Sequence, residues 1–155
     1  MSLETVVAVL KEKASDIEIV DIGRNHTTAI ISELWRLQPA QVAKTLLLQT
    51  RNGWVVVVTC GDSRLDNRKL KDQFGGRARV AAAPEAEALT GHPVGGICPL
   101  GLRDPLPVYL DIGLRRFNEV VPGAGSTTHA FRIAPARLCI ISEGRWVDIC
   151  GSIPA

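Results

Sequence analysis

Between Leu3 and Ala14 the apolar residues Leu3, Val6, Val7 and Leu10 recur at helical spacing, with Lys11 and Lys13 near the end. That pattern predicts an amphipathic first helix. Ile17 to Ile22 alternates less cleanly and suits a partly buried strand, after which Gly23-Arg24-Asn25 turns the chain. Thr27-Thr28 is positioned to cap a helix from Ala29 to about Leu37, ended by Gln38-Pro39. A short helix opening on Pro39 then runs to about Ala43. Leu46 to Gln49, Arg51-Asn52-Gly53 and Trp54 to Thr59 carry the strongest hairpin signal in the chain. Val55-Val56-Val57-Val58 is apolar throughout, as in a central strand covered on both faces.

The second half is more broken. Asp66 to Phe74 predicts a basic amphipathic helix, capped by Asp66, with Leu70 and Phe74 inward and Gly75-Gly76 as its stop. Arg79 to Ala82 resembles a strand, and Pro84 to Leu89 a short helix. Further strands are expected at Pro107 to Asp111, Glu119 to Pro122 and His129 to Ile133, with Asp111 anchoring a loop. Pro135 to Leu138 begins a last helical turn, and Trp146 to Ile149 is a strand or docked tail. Many short strands interrupted by short helices favour an α+β fold built on one curved, mixed sheet.

Composition narrows the function classes. The 155 residues fit one domain, 1–155, and 46% hydrophobic against 22% charged content excludes disorder. A net charge of +2, no basic stripe and aromatics at only 5% argue against a binder that stacks many bases. A brief, end-on encounter with a nucleic acid stays compatible. The opening residues lack a basic segment followed by a long apolar run, so no signal peptide is expected, nor any membrane span. Cys60, Cys98, Cys139 and Cys150 are scattered, without a paired CxxC. Neither zinc nor a disulfide scaffold is expected, and the setting is read as cytoplasmic and reducing. No cofactor is called for.

Three segments can carry chemistry. Lys44 stands alone in Val42-Ala43-Lys44-Thr45-Leu46-Leu47-Leu48, where a short helix is expected to enter a buried strand. Either its stem packs while the head reaches water, or the ammonium sits at a pocket rim offset by an anion or dipole. The stretch Gly95-Gly96-Ile97-Cys98-Pro99 alternates freedom and rigidity, and is either a structural turn or a loop aiming amides at a ligand oxygen. It lacks the spacing of a nucleotide-binding phosphate loop. Gly123-Ala124-Gly125-Ser126-Thr127-Thr128 leads to His129, which offers a proton near neutral pH or merely faces solvent at a strand start. His26 caps a helix entry or touches a ligand, and His92 belongs to a turn. Cys98 reads as a pocket wall or packed thiol before it reads as a nucleophile. Ser63 and Ser126 fit no GxSxG elbow, and the acids form no glycosidase pair.

Taken in order, these marks resemble the YbaK and prolyl-tRNA-synthetase-associated editing domain family over roughly Thr27 to Ile149. The residues carrying the resemblance are Val42 to Leu46, Cys60-Gly61-Asp62-Ser63-Arg64-Leu65-Asp66, Leu89 to Gly101 and Pro107 to Asp111. It implies a single α+β domain with a barrel-like, mostly antiparallel mixed sheet and surrounding short helices. It further implies a hydrolase that removes a mismatched amino acid in trans from tRNA, with tRNA for proline foremost, by water attack on the aminoacyl ester. Lys44 then corresponds to the family's pocket lysine, and Gly95 and Pro99 to its GxxxP loop. The catalytic set implied is Lys44, Gly95 and Gly96. The substrate-binding set is His26, Thr45, Ile97, Cys98, Pro99, Gly125, Ser126 and His129, with no metal. Partners would be aminoacyl-tRNA, met through its acceptor end, and transiently a synthetase, with the chain a monomer or weak homodimer and no membrane involved. A noncatalytic tRNA-binding or regulatory module, or a small aminoacyl-ester esterase, are the alternatives.

Overall fold

The computed structural model describes residues 2–23 and 35–151. His26, Thr27-Thr28 and most of the helix expected over Ala29 to Leu37 lie outside the described residues. The rest is α+β. Its helices are α1 (Ser2–Lys13), α2 (Asn67–Phe74), α3 (Ala83–Thr90) and α4 (Pro135–Ile141). Its strands are β1 (Val20–Asp21), β2 (Ala43–Thr50), β3 (Gly53–Cys60), β4 (Arg79–Val80), β5 (Val108–Asp111), β6 (His129–Ala130) and β7 (Arg145–Val147). No described helix is long and apolar enough to cross a membrane.

The large sheet runs in the order β4-β2-β3-β5-β7, and β1 and β6 pair separately as an antiparallel ribbon. Contacts of β2 with β3 and β4 are antiparallel, whereas β3–β5 and β5–β7 are parallel. The large sheet is thus evenly mixed, where a mostly antiparallel one was expected. The reason is the length of the excursions from Cys60 to Val108 and from Asp111 to Arg145, which bring the chain back to re-enter in the same direction. The described pairings close no barrel.

Central position explains the valine run. Val56 and Val58 pack into the cluster holding Val6 and Leu10 of α1, while Val55 and Val57 meet Leu70 and Phe74 of α2. Side chains alternate between faces along a strand, so both faces must be apolar. Each fully buried side chain of this kind contributes about 1.5–3 kcal/mol. Helix α2 starts where the Asp66 carboxylate accepts from the Lys69 N–H at 2.9 Å and stops at Gly75, whose φ is 75°. Buried Asp111 anchors its loop as expected, accepting from the N–H groups of Gly113 (2.9 Å) and Ile149 (3.0 Å).

Several boundaries moved for tertiary reasons. Pro39–Gln41 is a single 3-10 turn, and β2 begins at Ala43, so Lys44 lies within a strand, opposite Thr59. Glu119 to Pro122 forms no strand. Val121 makes one parallel bridge to Val42 and Val120 one antiparallel bridge to Ile133, and Pro122 has no N–H to extend either. The last helix lengthens to Ile141, and the tail expected at Trp146 is a strand because β5 offers it an edge.

One glycine sets up the site. A Cβ at Gly61 would lie 2.3 Å from the Val42 carbonyl oxygen and 3.0 Å from that of Pro39. Only glycine lets the loop after β3 tuck under the start of β2.

Candidate active site

A cavity of about 930 Å³ opens along the outer edge of β2. Its walls are β2 from Val42 to Leu47, Gly61, the Val94–Gly95 turn with Ile97, small residues around α3, and Val121 to Gly123 with Thr127 to Ala130. Lys44, Gly95 and His129, far apart in sequence, share this space. The volume is near the upper end for small-molecule sites, enough for an amino acid together with its nucleoside. Lys44 and His129 are the ionisable groups on its wall, and no carboxylate lines it among the described residues.

The Lys44 ammonium is aimed. Its Nζ donates to the Ser63 carbonyl at 2.6 Å, an acceptor placed there by the Gly61 approach. Two further N–H groups are left for a ligand. Snorkelling into bulk water is therefore not how the chain satisfies this cation.

Two glycine loops meet backbone to backbone. Gly95 has φ +93° and lines the cavity. Gly96 does not line it; its N–H donates to the Pro93 carbonyl at 2.9 Å and its carbonyl accepts from the Gly125 N–H at 2.8 Å. A Cβ at Gly96 would stand 2.5 Å from the Ser126 carbonyl carbon and oxygen. Gly125 (φ +82°) is held from outside by Ser2, whose Oγ donates to the Gly125 carbonyl. Gly96 and Gly125 thus pack against each other's loops, while Gly95 and Ile97 line the cavity.

His129 sits at the rim, paired with Asp21 across the β1–β6 ribbon. Its Nδ1 lies 3.0 Å from both Ser126 Oγ and Thr128 Oγ1, and its Nε2 is 3.9 Å from the Asp21 carboxylate. Ser126 itself does not line the cavity; its Oγ also accepts from the Thr128 N–H at 3.1 Å. Thr45 does, with a buried hydroxyl that has no partner among the described residues.

Cys98 lies off the cavity in the core, with no exposed surface, and burial pushes its thiol up to about 12. Of the sequence readings, the packed thiol fits this placement. Cys98 in the native protein is expected to resist iodoacetamide at pH 8 and to react once unfolded in urea, as read by mass spectrometry. Pro99 lines a different, smaller groove beside α1 of about 390 Å³.

Sequence reasoning missed part of the wall. Ala81, Ala83, Ala86 and Val94 carry no chemistry and gave no signal, and Gly61, though part of the Cys60–Asp66 motif, was assigned no role in the site. His92, expected in a turn, is buried: its Nε2 donates to the Leu100 carbonyl at 2.8 Å, and burial lowers its pKa. It pins the downstream end of the Gly95–Pro99 loop.

Comparison with known proteins adds independent findings. A family model described as an aminoacyl-tRNA editing domain matches residues 25–139. An uncharacterized protein, YwhH of Bacillus subtilis, is 37% identical over 113 residues, 72% of each chain. A protein of Enterococcus faecalis, named as a candidate Cys-tRNA(Pro)/Cys-tRNA(Cys) deacylase, EbsC, is 26% identical over 130 residues, 82% of this chain and 79% of its own. The fold superposes with TM-score 0.90 and 27% identity on a solved structure described as a candidate trans-editing enzyme for prolyl-tRNA synthetase, covering 97% of this chain and 98% of that one.

Proposed function

This chain belongs to the aminoacyl-tRNA editing domain family, and on that premise we propose that it is a trans-acting aminoacyl-tRNA deacylase. Its substrate is a tRNA bearing the wrong amino acid, foremost tRNA for proline, met through the acceptor end and delivered by transient contact with a synthetase. Residues 1–155 form one editing domain, acting as a monomer or weak homodimer. The need is physical: a methylene more or less changes binding by only about 1–3 kcal/mol, so a synthetase cannot reject near-isosteres by affinity alone.

The observation that supports this reading best is the shared cavity of Lys44 and the Gly95–Ile97 backbone. In the proposed reaction Lys44 holds the phosphate of the terminal nucleotide. The Gly95 and Ile97 amides receive the ester carbonyl and stabilise the oxyanion as water attacks. A ribose hydroxyl of the substrate activates that water. The carbonyl–ribose bond breaks, the ribose oxygen takes back the proton, and the free amino acid leaves. Cys98, buried off the cavity, takes no covalent part.

The test is a deacylation panel. tRNA for proline charged with alanine, cysteine or serine is compared with correctly charged prolyl-tRNA and with the free aminoacyl-adenosines. Hydrolysis of at least one mischarged tRNA, with prolyl-tRNA spared, is the expected result. Equal turnover of fragments and whole tRNA would make the protein a small-ester hydrolase. Binding of tRNA without turnover would make it a noncatalytic module.

A further inference from the structure

Along β2 the main chain shows one hand to the cavity. The Ala43 N–H donates outward to the Val121 carbonyl at 3.0 Å, and the Leu47 carbonyl accepts from Ala81 N–H at 2.9 Å on the same side. Backbone groups in an antiparallel strand alternate sides with a period of two. Thr45 therefore also directs its N–H and C=O away from β3, into the interval between Val121 and Ala81. Neither neighbour reaches it, and no described residue pairs with it there. A second observation falls on the same residue. Thr45 is only 8% exposed, lines the cavity, and its Oγ1 is buried with no hydrogen-bond partner among the described residues. Buried polar groups are rarely left unpaired, because each costs free energy until a partner arrives.

The geometry points to Thr45 as the subsite for the α-ammonium of the aminoacyl group, its outward carbonyl oxygen accepting from that –NH3+ and its hydroxyl, closed off from the cavity in this structure, turning about χ1 to accept as well. The inference rests on the deacylase reading and deepens it: the substrate class becomes α-amino esters with an unblocked amine. Charge placement agrees. Successive side chains point to opposite faces of a sheet, so the Lys44 head, hooked on Ser63, and the Thr45 hydroxyl lie on opposite faces of β2. The nucleotide phosphate and the ammonium can then be bound by adjacent residues without Lys44 repelling the amine. With no carboxylate on the described wall, unpaired oxygens at the strand edge are the acceptors at hand.

The probe is 3′-deoxy-3′-(L-alanylamino)adenosine, an amide that water does not cleave, titrated calorimetrically beside its N-acetyl and deamino twins. The free amine is expected to bind about 10-fold tighter than either twin, the scale of a charge-assisted hydrogen bond. T45V should weaken the free-amine compound about 5-fold, spare the twins and raise Tm, because an orphaned buried hydroxyl is removed. T45S should keep the preference. Equal affinity of all three compounds, their failure to bind, or a T45V protein with unchanged preference overturns the subsite; so does a lowered Tm with preference intact. Turnover of mischarged tRNA without amine preference would sink the subsite alone. Amine preference without turnover would sink the deacylase reading alone.

Discussion

Replacing Lys44 with methionine is expected to lower kcat/KM for mischarged tRNA by about 100-fold, equivalent to about 2.7 kcal/mol. Methionine keeps an unbranched apolar stem in β2, so the loss isolates the ammonium. Removing one partner of a desolvated, hydrogen-bonded charge pair typically costs about 2–5 kcal/mol, which brackets the figure. The ammonium already spends one N–H on Ser63 and is held in place before any ligand arrives. Holding a phosphate that is charged in ground and transition states alike is uniform binding, so the defect should fall mainly on KM. Single-turnover deacylation at saturating and subsaturating enzyme separates the two. A loss confined to kcat would move Lys44 from the phosphate to the reacting ester. Wild-type kcat/KM would remove it from the reaction altogether. Loss of the Ser63 bond leaves a carbonyl unpaired, so a modest fall in Tm, on the order of 1–3 kcal/mol of stability, should accompany the change.

How much of this was legible in the sequence depended on whether the signal was local. The hairpin of β2 and β3 was readable because Arg51-Asn52-Gly53 and the valine run are contiguous, and Gly53 takes the φ of +123° that its residue type permits. Lys44 stood out as the wrong residue type in an apolar run. What could not be read was which loop faces which. Gly96 and Gly125 look as available to a ligand as Gly95, yet their conformations serve each other across 29 residues of chain. Pro99 ends the same short motif that Gly95 opens and still faces another groove. The interval at Thr45, filled by no described residue, lies between Val121 and Ala81, and neither is predictable from β2. His92 hid for the opposite reason: its Gly91 and Pro93 neighbours signal a turn, and the turn happens to be buried.

Gly96→Ala is expected to be strongly destabilising for a change of one methyl group. The added Cβ would meet the Ser126 carbonyl carbon and oxygen at 2.5 Å and its nitrogen at 2.8 Å, all main-chain atoms that no rotamer change can move aside. Overpacking in a tight region costs about 1–3 kcal/mol, and rigid neighbours place this one at the upper end. For a chain of this size that corresponds to a fall in Tm of about 6–12 °C by calorimetry. The two loops must part, stretching the bond between the Gly125 N–H and the Gly96 carbonyl and displacing the adjacent Gly95 and Ile97 amides. A misplacement near 1 Å is worth about 100-fold in rate, so deacylation measured well below Tm should fall even where the protein is folded. Gly95→Ala provides the contrast. Its Cβ would meet only the Thr127 methyl at 3.6 Å, and its penalty is the φ of +93°, on the order of 1–3 kcal/mol without a clash. If the Gly96→Ala protein melts within 2 °C of wild type and keeps its rate, the two loops do not pack backbone against backbone, and the placement of the Gly95 and Ile97 amides loses its support.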